Sequence, residues 1–212
     1  MVGSPESVVG DSYPVQFSVD YPHRPLNRLT TFFRIFTAIP ILILLATIGC
    51  AAARVDAGTI AASGSGLLFL PPLLMILFRR KYPRWWFDWN LELLRFSNRI
   101  YVYLALMDDR YPSTDEGQSV RLDFPYPDAE RDLNRWLPLV KWFLAIPHYI
   151  VLIALWLLAF FCVVIAWFAV LFTGRYPEGL FGIVESVIRW GNRVTAYAFL
   201  LVTDRYPPFS FS

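Results

Sequence analysis

The chain has 212 residues and a formal net charge of only +2, with 56% of its residues hydrophobic and 17% charged. Soluble domains usually carry about a quarter charged residues, so this composition indicates a membrane protein. The small net charge, with no basic stripe away from the apolar segments, argues against nucleic-acid binding. Cys50 and Cys162 both lie in apolar runs, so we expect neither a disulfide framework nor a metal site.

Residues 1–14 are predicted to form a tail before the fold. They contain Glu6 and Asp11 but no basic stretch, so we do not expect a cleaved signal peptide. Behind the tail, the alternating segment Val15–Tyr21 is typical of a short strand, and a similar segment returns at Val120–Tyr126. We expect these two strands to pair beneath a helical bundle.

An internal repeat divides the chain into repeat 1 over residues 15–112, a linker over 113–119 and repeat 2 over 120–212. The two halves share several motifs in the same order: Leu-Asn-Arg at 26–28 and 133–135, Ala-Ile-Pro at 38–40 and 145–147, and Asp-Arg-Tyr-Pro at 109–112 and 204–207. Four further positions, Arg95, Asn98, Arg99 and Tyr103, match Arg189, Asn192, Arg193 and Tyr197. Such an ordered set of matches indicates a duplication.

The membrane segments of repeat 1 are easy to place. Two apolar runs, Thr31–Ala53 and Ile60–Phe78, are each about twenty residues long, which is enough to cross a bilayer. The short polar segment Arg54–Gly58 lies between them. The pattern therefore predicts a transmembrane helical hairpin.

Repeat 2 contains one long apolar run, Leu137–Phe172, with no polar break after His148. Because insertions accumulate at exposed tips, the extra residues of repeat 1 mark its turn, and we expect a shorter hairpin in repeat 2 that bends near Leu157–Phe161. The alternative is one spanning helix at Tyr149–Phe172. We favour the hairpin, because it keeps both ends of the unit on the same side of the membrane.

The distribution of basic residues predicts the orientation. Of the 19 Lys and Arg residues, only Arg54 falls in a predicted far-side turn, whereas many flank the two hairpins. The positive-inside rule then places both termini and the linker in the cytoplasm, in a multi-pass protein of the cell inner membrane. Two units that enter and leave on one side are parallel repeats about an axis along the membrane normal.

Each hairpin is followed by an amphipathic segment. In Asp88–Met107, the charged residues Asp88, Glu92 and Arg95 lie on the helical face opposite Phe96 and Ile100. In the second half, Glu185 and Arg189 oppose Trp190 and Val194 in the same way. We expect these helices to lie along the membrane surface, to pack against the hairpins, or both. The predicted interfacial anchors are Trp85, Trp86, Trp89 and Trp190.

No catalytic constellation is recognisable in the sequence. His23 and His148 have no Cys, Asp or Glu at ligand spacing, so we expect no metal and no cofactor. Gly64-Ser65-Gly66 has no triad partner and is not a nucleophile elbow. We therefore expect a protein that is not an enzyme. The small residues that recur at four-residue spacing, candidates for close helix packing, are Gly58, Ala62 and Gly66.

A few polar residues near the membrane segments are candidates for contacts. Arg34 and Lys141 occupy matching positions one turn inside each first helix, and we expect both to extend to the cytoplasmic interface. The paired Asn98-Arg99 and Asn192-Arg193 either form structural pairs with Asp109 and Asp204 or bind lipid phosphates. Both alternatives remain open at this stage, with structural pairing favoured.

The second half resembles a known family. The residues that carry the resemblance are Ile165–Phe168, Thr173–Phe181, Arg189-Trp190 and Thr203–Phe209. They are similar to the bacterial membrane domain of unknown function 4389, here in a duplicated form. The first half departs from the pattern at Trp85-Trp86 and in its longer turn. The resemblance implies a bacterial inner-membrane protein and implies no activity.

The sequence thus predicts an all-α integral membrane protein with two tandem parallel repeats, each a transmembrane hairpin plus an interfacial amphipathic helix, and with short N-terminal strands. The favoured function is that of a scaffold or accessory subunit that contacts membrane lipids or a protein partner. The alternative is a small transport or lipid-handling protein with a pathway between the repeats. A polar cavity on the axis would favour transport, and a packed apolar axis would favour a scaffold.

Overall fold

The computed structural model describes residues 13–51, 70–113 and 118–211, and these are mostly helical. The turn Arg54–Gly58 and the small residues Ala62 and Gly66 lie outside the described residues. In chain order the elements are β1 (Gln16–Val19), α1 (Arg28–Ala51), α2 (Leu70–Arg79), α3 (Arg84–Leu104), β2 (Val120–Asp123), a 3-10 turn (Leu137–Leu139), α4 (Lys141–Leu144), α5 (Ile146–Thr173) and α6 (Glu178–Ala198).

Proline and glycine set several of the helix boundaries. The Tyr-Pro pairs precede α3 and α6, where Pro83 and Pro177 are the N-cap residues in an extended conformation. The fixed φ of proline suits this entry position, and its missing N–H is not needed there. At the other boundary, α5 ends at Gly174, which has a φ of 75° that glycine adopts without strain.

The apolar run of the second half is one continuous helix, so the predicted bend near Leu157–Phe161 is wrong. A stripe at helical spacing lies buried along the length of α5: His148, Leu152, Ala159, Cys162, Ala166 and Val170. Between Tyr149 and Phe172 the run contains no proline, glycine or charged residue to stop a helix. The 28 residues of α5 therefore extend for about 42 Å without a break.

Each long apolar helix is paired with an antiparallel helix that follows it. Near the start of α5, Tyr149 contacts Phe199 with a ring separation of 6.2 Å, while residues near its end share a core with Phe181 at the start of α6. In the first half, α1 packs on α3 through Ala38 and Phe96. The amphipathic helices α3 and α6 thus pack against the inner side of the apolar helices.

A two-stranded antiparallel sheet lies on α3 and α6. Phe17 of β1 pairs with Leu122 of β2, which confirms the predicted pairing over shorter ranges. The carbonyl of Phe17 accepts a hydrogen bond from Arg189 of α6 (3.0 Å), and that of Leu122 accepts one from Arg95 of α3 (2.9 Å). These described elements form three layers: the sheet, then α3 with α6, then α1 with α5.

Within the described residues, two helices are long and apolar enough to cross a membrane, Arg28–Thr47 of α1 and Ile146–Thr173 of α5. Only 22% of the most apolar window of each is buried inside the protein. We call their exposed apolar side chains the outer face, since they point away from α3 and α6. It includes Leu29, Phe33, Phe36 and Ile43 of α1, and Ile150, Ile153, Leu157, Phe161 and Phe168 of α5.

Candidate functional site

Asn98 of α3 and Asn192 of α6 form a reciprocal pair of hydrogen bonds. The Nδ2 of Asn98 donates to Oδ1 of Asn192 at 2.9 Å, and the Nδ2 of Asn192 donates to Oδ1 of Asn98 at 2.8 Å. Both side chains are buried. A buried amide is costly unless it is hydrogen-bonded, and here each asparagine supplies the partner that the other needs. The sequence had placed both among candidates for lipid or ion-pair contacts, and the structure brings them to each other.

Arg34 of α1 is buried and bound by the segment that follows α3. Its guanidinium lies 2.8 Å from Oδ1 of Asp109 and donates to the carbonyls of Tyr103 (2.7 Å) and Asp108 (2.8 Å). The second oxygen of Asp109 accepts the backbone N–H of Asn27 at 2.9 Å. A charge-assisted network of this kind fixes the start of α1 against the end of α3.

Lys141 occupies the matching place in the second half. Its ammonium is fully buried, lies 2.7 Å from Oδ1 of Asp204 and donates to the carbonyl of Thr203 at 2.7 Å. The ring of Tyr197 lies 5.2 Å away, just as Tyr103 lies 4.5 Å from the guanidinium of Arg34. Burial lowers the pKa of Lys141 below its ordinary value, and the neighbouring Asp204 opposes that shift.

Arg34 and Lys141 therefore do not extend to the interface, and that expectation is wrong. Only 2% of Arg34 and none of Lys141 is exposed. The physical reason is that the Asp-Arg-Tyr-Pro segments bring carboxylates to both cations, which makes burial tolerable. Asp109 and Asp204, which were candidates for pairing with Arg99 and Arg193, contact Arg34 and Lys141 instead.

Arg99 and Arg193 have other neighbours. Arg99 donates to the carbonyl of Ser113 at 2.7 Å. The guanidinium of Arg193 lies 5.7 Å from the ring centre of Tyr13. Burial, followed by the nearby charge of Arg189, lowers the pKa of Arg193. Both arginines are less than a tenth exposed, so they lie inside the fold.

The four predicted tryptophan anchors divide into two groups. Trp85 is 70% exposed and Trp89 is 40% exposed, with Trp86 half-buried beside them. Trp190 is buried, and its indole N–H donates to Nδ1 of His148 at 3.1 Å. His148 is also stacked on Phe209 at 4.0 Å, so it is a packed core residue. Among the residues that the structure describes, no group of three or more His, Cys, Asp or Glu could hold a metal ion.

Hydrogen bonds from tyrosine cross between the two halves at matching positions. The hydroxyl of Tyr21 donates to the carbonyl of Tyr176, and that of Tyr126 donates to the carbonyl of Tyr82. Tyr82 and Tyr176 are themselves buried, which raises the pKa of each phenol well above its ordinary value. Each half therefore stabilises the Tyr-Pro junction of the other, a contact that sequence reasoning had not predicted.

Two surface cavities lie at these Tyr-Pro junctions. One has a volume of about 370 Å³ and is lined in part by Tyr21, Arg24 and Asp108. The other has a volume of about 400 Å³ and is lined in part by Lys81 and Tyr126. Both are open and carry charges of both signs. Neither is lined by Asn98 or Asn192, so neither lies at the buried amide pair.

Comparison with known families matches one part of the chain. Residues 136–210 fit the model of a domain of unknown function, DUF4389. The matched part contains α4, α5, α6 and the Asp-Arg-Tyr-Pro segment that holds Lys141, and it supports the family for the second half. Searches of curated proteins and of solved structures found no match.

Proposed function

We propose that the protein is a non-enzymatic integral membrane protein of the bacterial inner membrane that acts as a scaffold or accessory subunit. The observation that carries the proposal is the outer face of α1 and α5. Isolated surface hydrophobics are ordinary, but a contiguous apolar surface of this extent marks a membrane or protein contact. No charged residue interrupts α5, so acyl chains are the surroundings that this surface fits best.

The chain is a duplication whose two units are related by an approximate two-fold axis. Three sets of matched contacts support this: the cations Arg34 and Lys141 with their aspartates, the two cross-half tyrosine bonds, and the two arginine contacts to the strands. The axis passes between Phe17 and Leu122, which the repeat alignment makes equivalent and the sheet register places opposite each other. It also passes between Asn98 and Asn192.

A scaffold is favoured over a transport protein because buried, mutually satisfied side chains lie on this axis. The amides of Asn98 and Asn192 satisfy each other, and Val102 of α3 and Ile188 of α6, each one helical turn from this pair, are buried in one shared apolar core. A pathway between the units would have to separate this pair. The buried cations are each neutralised by an aspartate, so they do not form a relay of free charges along a path.

Purification of the tagged protein from native membranes in mild detergent tests the proposal. We expect the protein to resist extraction by alkaline carbonate, to require detergent for release and to co-purify with a stoichiometric protein partner. Mass spectrometry of proteins and lipids would identify what is retained. Release by carbonate would contradict a membrane-embedded protein. Solute flux in proteoliposomes, abolished when Asn98 and Asn192 are cross-linked as cysteines, would favour transport over a scaffold.

A further inference from the structure

We propose that α1 and α5 lie in the plane of the membrane, so that the protein is embedded in one leaflet through its outer face and does not span the bilayer. The bound surface would be the acyl region of an anionic bilayer, with the two-fold axis along the membrane normal. This inference rests on the proposed membrane location, and it places both ends of α5 on the cytoplasmic side.

The long elements of the fold are aligned with one another. Strand β1 runs along α6 in the opposite sense: the N–H of Val19 donates to Glu185, the carbonyl of Phe17 accepts from Arg189, and Tyr13 lies against Arg193. Helix α5 runs along a different side of α6, where Trp190 and Val194 face it. The strands, α6 and α5 therefore share one long direction, with the sheet and the outer face at opposite surfaces.

The outer surface of the sheet carries exposed charged side chains. Arg121 and Asp20 form an ion pair there, with 74% and 59% of their side chains exposed, and 78% of the Asp123 side chain is exposed. If α5 spanned the bilayer, the strands that run parallel to it would cross the hydrocarbon with these charges and with an open sheet edge. Exposed charges at that depth are costly, and lipid-exposed sheet edges do not occur there. An in-plane orientation leaves the sheet in water.

The outer face extends along the whole of α5 and is apolar. About half of the circumference of α5 is exposed along its length, and the exposed large side chains are all apolar. The helix is about 42 Å long, which exceeds a hydrocarbon thickness of about 30 Å, but an in-plane helix has no such limit. One exposed apolar side over a polar, charged opposite surface is the pattern of an interfacial protein.

Cationic side chains lie at both ends of the helical layer. At the C-terminal end of α5, Gly174 lies next to the guanidinium of Arg28, and Arg175 follows at the surface. At the opposite end of the layer, Arg135 donates to the carbonyl of Leu77, and Arg79 ends α2. A spanning arrangement would concentrate cations at one end. Cations at both ends instead match a single anionic headgroup surface at the rim of the outer face.

Depth measurements on α5 test the orientation. Single cysteines would replace Ile150, Leu157 and Phe168, which point outward and extend over about 27 Å of helix. They would be introduced with Cys50 and Cys162 replaced, spin-labelled, and studied in the full chain in vesicles of phosphatidylethanolamine and phosphatidylglycerol. We expect all three labels at one depth, about 5–10 Å below the headgroups. A label at Arg121 is the matched control and should remain in water.

The outcomes separate this inference from the proposed function. A Leu157 label near the bilayer centre, with Ile150 and Phe168 labels at opposite surfaces, would overturn the in-plane orientation and leave the membrane location intact. If all three labels are in water, the proposed membrane location itself fails. Equal, shallow depths for all three labels would support both the in-plane orientation and the membrane location.

A second measurement does not alter the outer face. Arg131 precedes α5 and Arg175 follows it, and both are exposed, so cysteines at these positions should not disturb folding. With an impermeant maleimide, we expect both to be protected in intact cells and both to be labelled in inverted membrane vesicles. Labelling of one position from each side would show that α5 spans the membrane and would overturn the proposal.

Discussion

The side-chain amides of Asn98 and Asn192 each donate to the other's carbonyl oxygen, 94 positions apart in the chain, in the buried layer between the sheet and the apolar helices. Each amide thus supplies both a donor and an acceptor to the other. This reciprocal bond links α3 of the first half to α6 of the second, and it makes the stability of each half depend on the other.

Replacing one member of this pair should cost more than replacing both. Asn98→Leu leaves the buried amide of Asn192 without its partner, which costs about 1–3 kcal/mol in unfolding free energy. The double variant with Asn192→Leu removes both polar groups and should recover part of that loss. Denaturant unfolding in detergent micelles measures the coupling. Strictly additive losses would show that the two amides do not depend on each other.

Removing a buried cation should lower the unfolding free energy far more than removing an exposed cation does. Lys141→Met leaves the carboxylate of Asp204, whose side chain is 21% exposed, without its ion-pair partner, and we expect a loss of about 3 kcal/mol. The matched control is Arg131→Met, because Arg131 and Asp128 form an exposed pair at 3.7 Å. Exposed pairs contribute about 0–1 kcal/mol. Similar losses for the two variants would contradict the burial of Lys141.

The lowered pKa of Lys141 predicts a specific pH dependence. In the range between that lowered pKa and the ordinary value of 10.5, the unfolded chain binds more protons than the folded chain. The unfolding free energy contributed by this group therefore rises with pH across that range. The buried phenols of Tyr82 and Tyr176 act in the opposite direction above pH 10.

Comparison of the wild type with Lys141→Met isolates the lysine, because the phenols are common to both. We expect the difference in unfolding free energy to increase in favour of the wild type as pH rises from 7 toward 10. A difference that is flat, or that falls, would show that the folded environment does not disfavour the ammonium.

The continuity of α5 predicts a strong effect of proline at its centre. Leu158→Pro removes a helix hydrogen bond and should destabilise the protein by about 3 kcal/mol or more. Leu158→Ala, at the same exposed position, is the control and should be mild. Thermal unfolding in micelles distinguishes them. If proline is tolerated as well as alanine, residues 157–161 form a turn after all.

Several features of the fold could be predicted because they depend on local pattern. The alternation in Val15–Tyr21 and Val120–Tyr126 predicted the paired strands, and the amphipathic pattern after each apolar segment predicted helices where α3 and α6 lie. The bend in α5 was predicted wrongly, because the longer turn of the first half was transferred to the second. The signal for a continuous helix was the absence of proline, glycine and charged residues between Tyr149 and Phe172.

The polar contacts were harder to predict because their partners are distant in sequence. Arg34 lies 75 residues from Asp109, and Lys141 lies 63 residues from Asp204. One signal was available: a cation and an aspartate occupy matching positions in both halves, so each half contains the same opposite-charge pair. The contact between Asn98 and Asn192 was not predictable from either half alone, because it exists only where the two halves meet.

Contact of the outer face with lipid is the central claim, and one measurement tests it most directly. A nitroxide at Phe161, on the outer face, is compared with a nitroxide at Arg121, on the sheet, in reconstituted vesicles. We predict that the Phe161 label collides readily with oxygen, which partitions into lipid, and is shielded from a water-soluble nickel complex, whereas the Arg121 label shows the reverse. Equal access of the nickel complex to both labels would place the outer face in water and contradict the account.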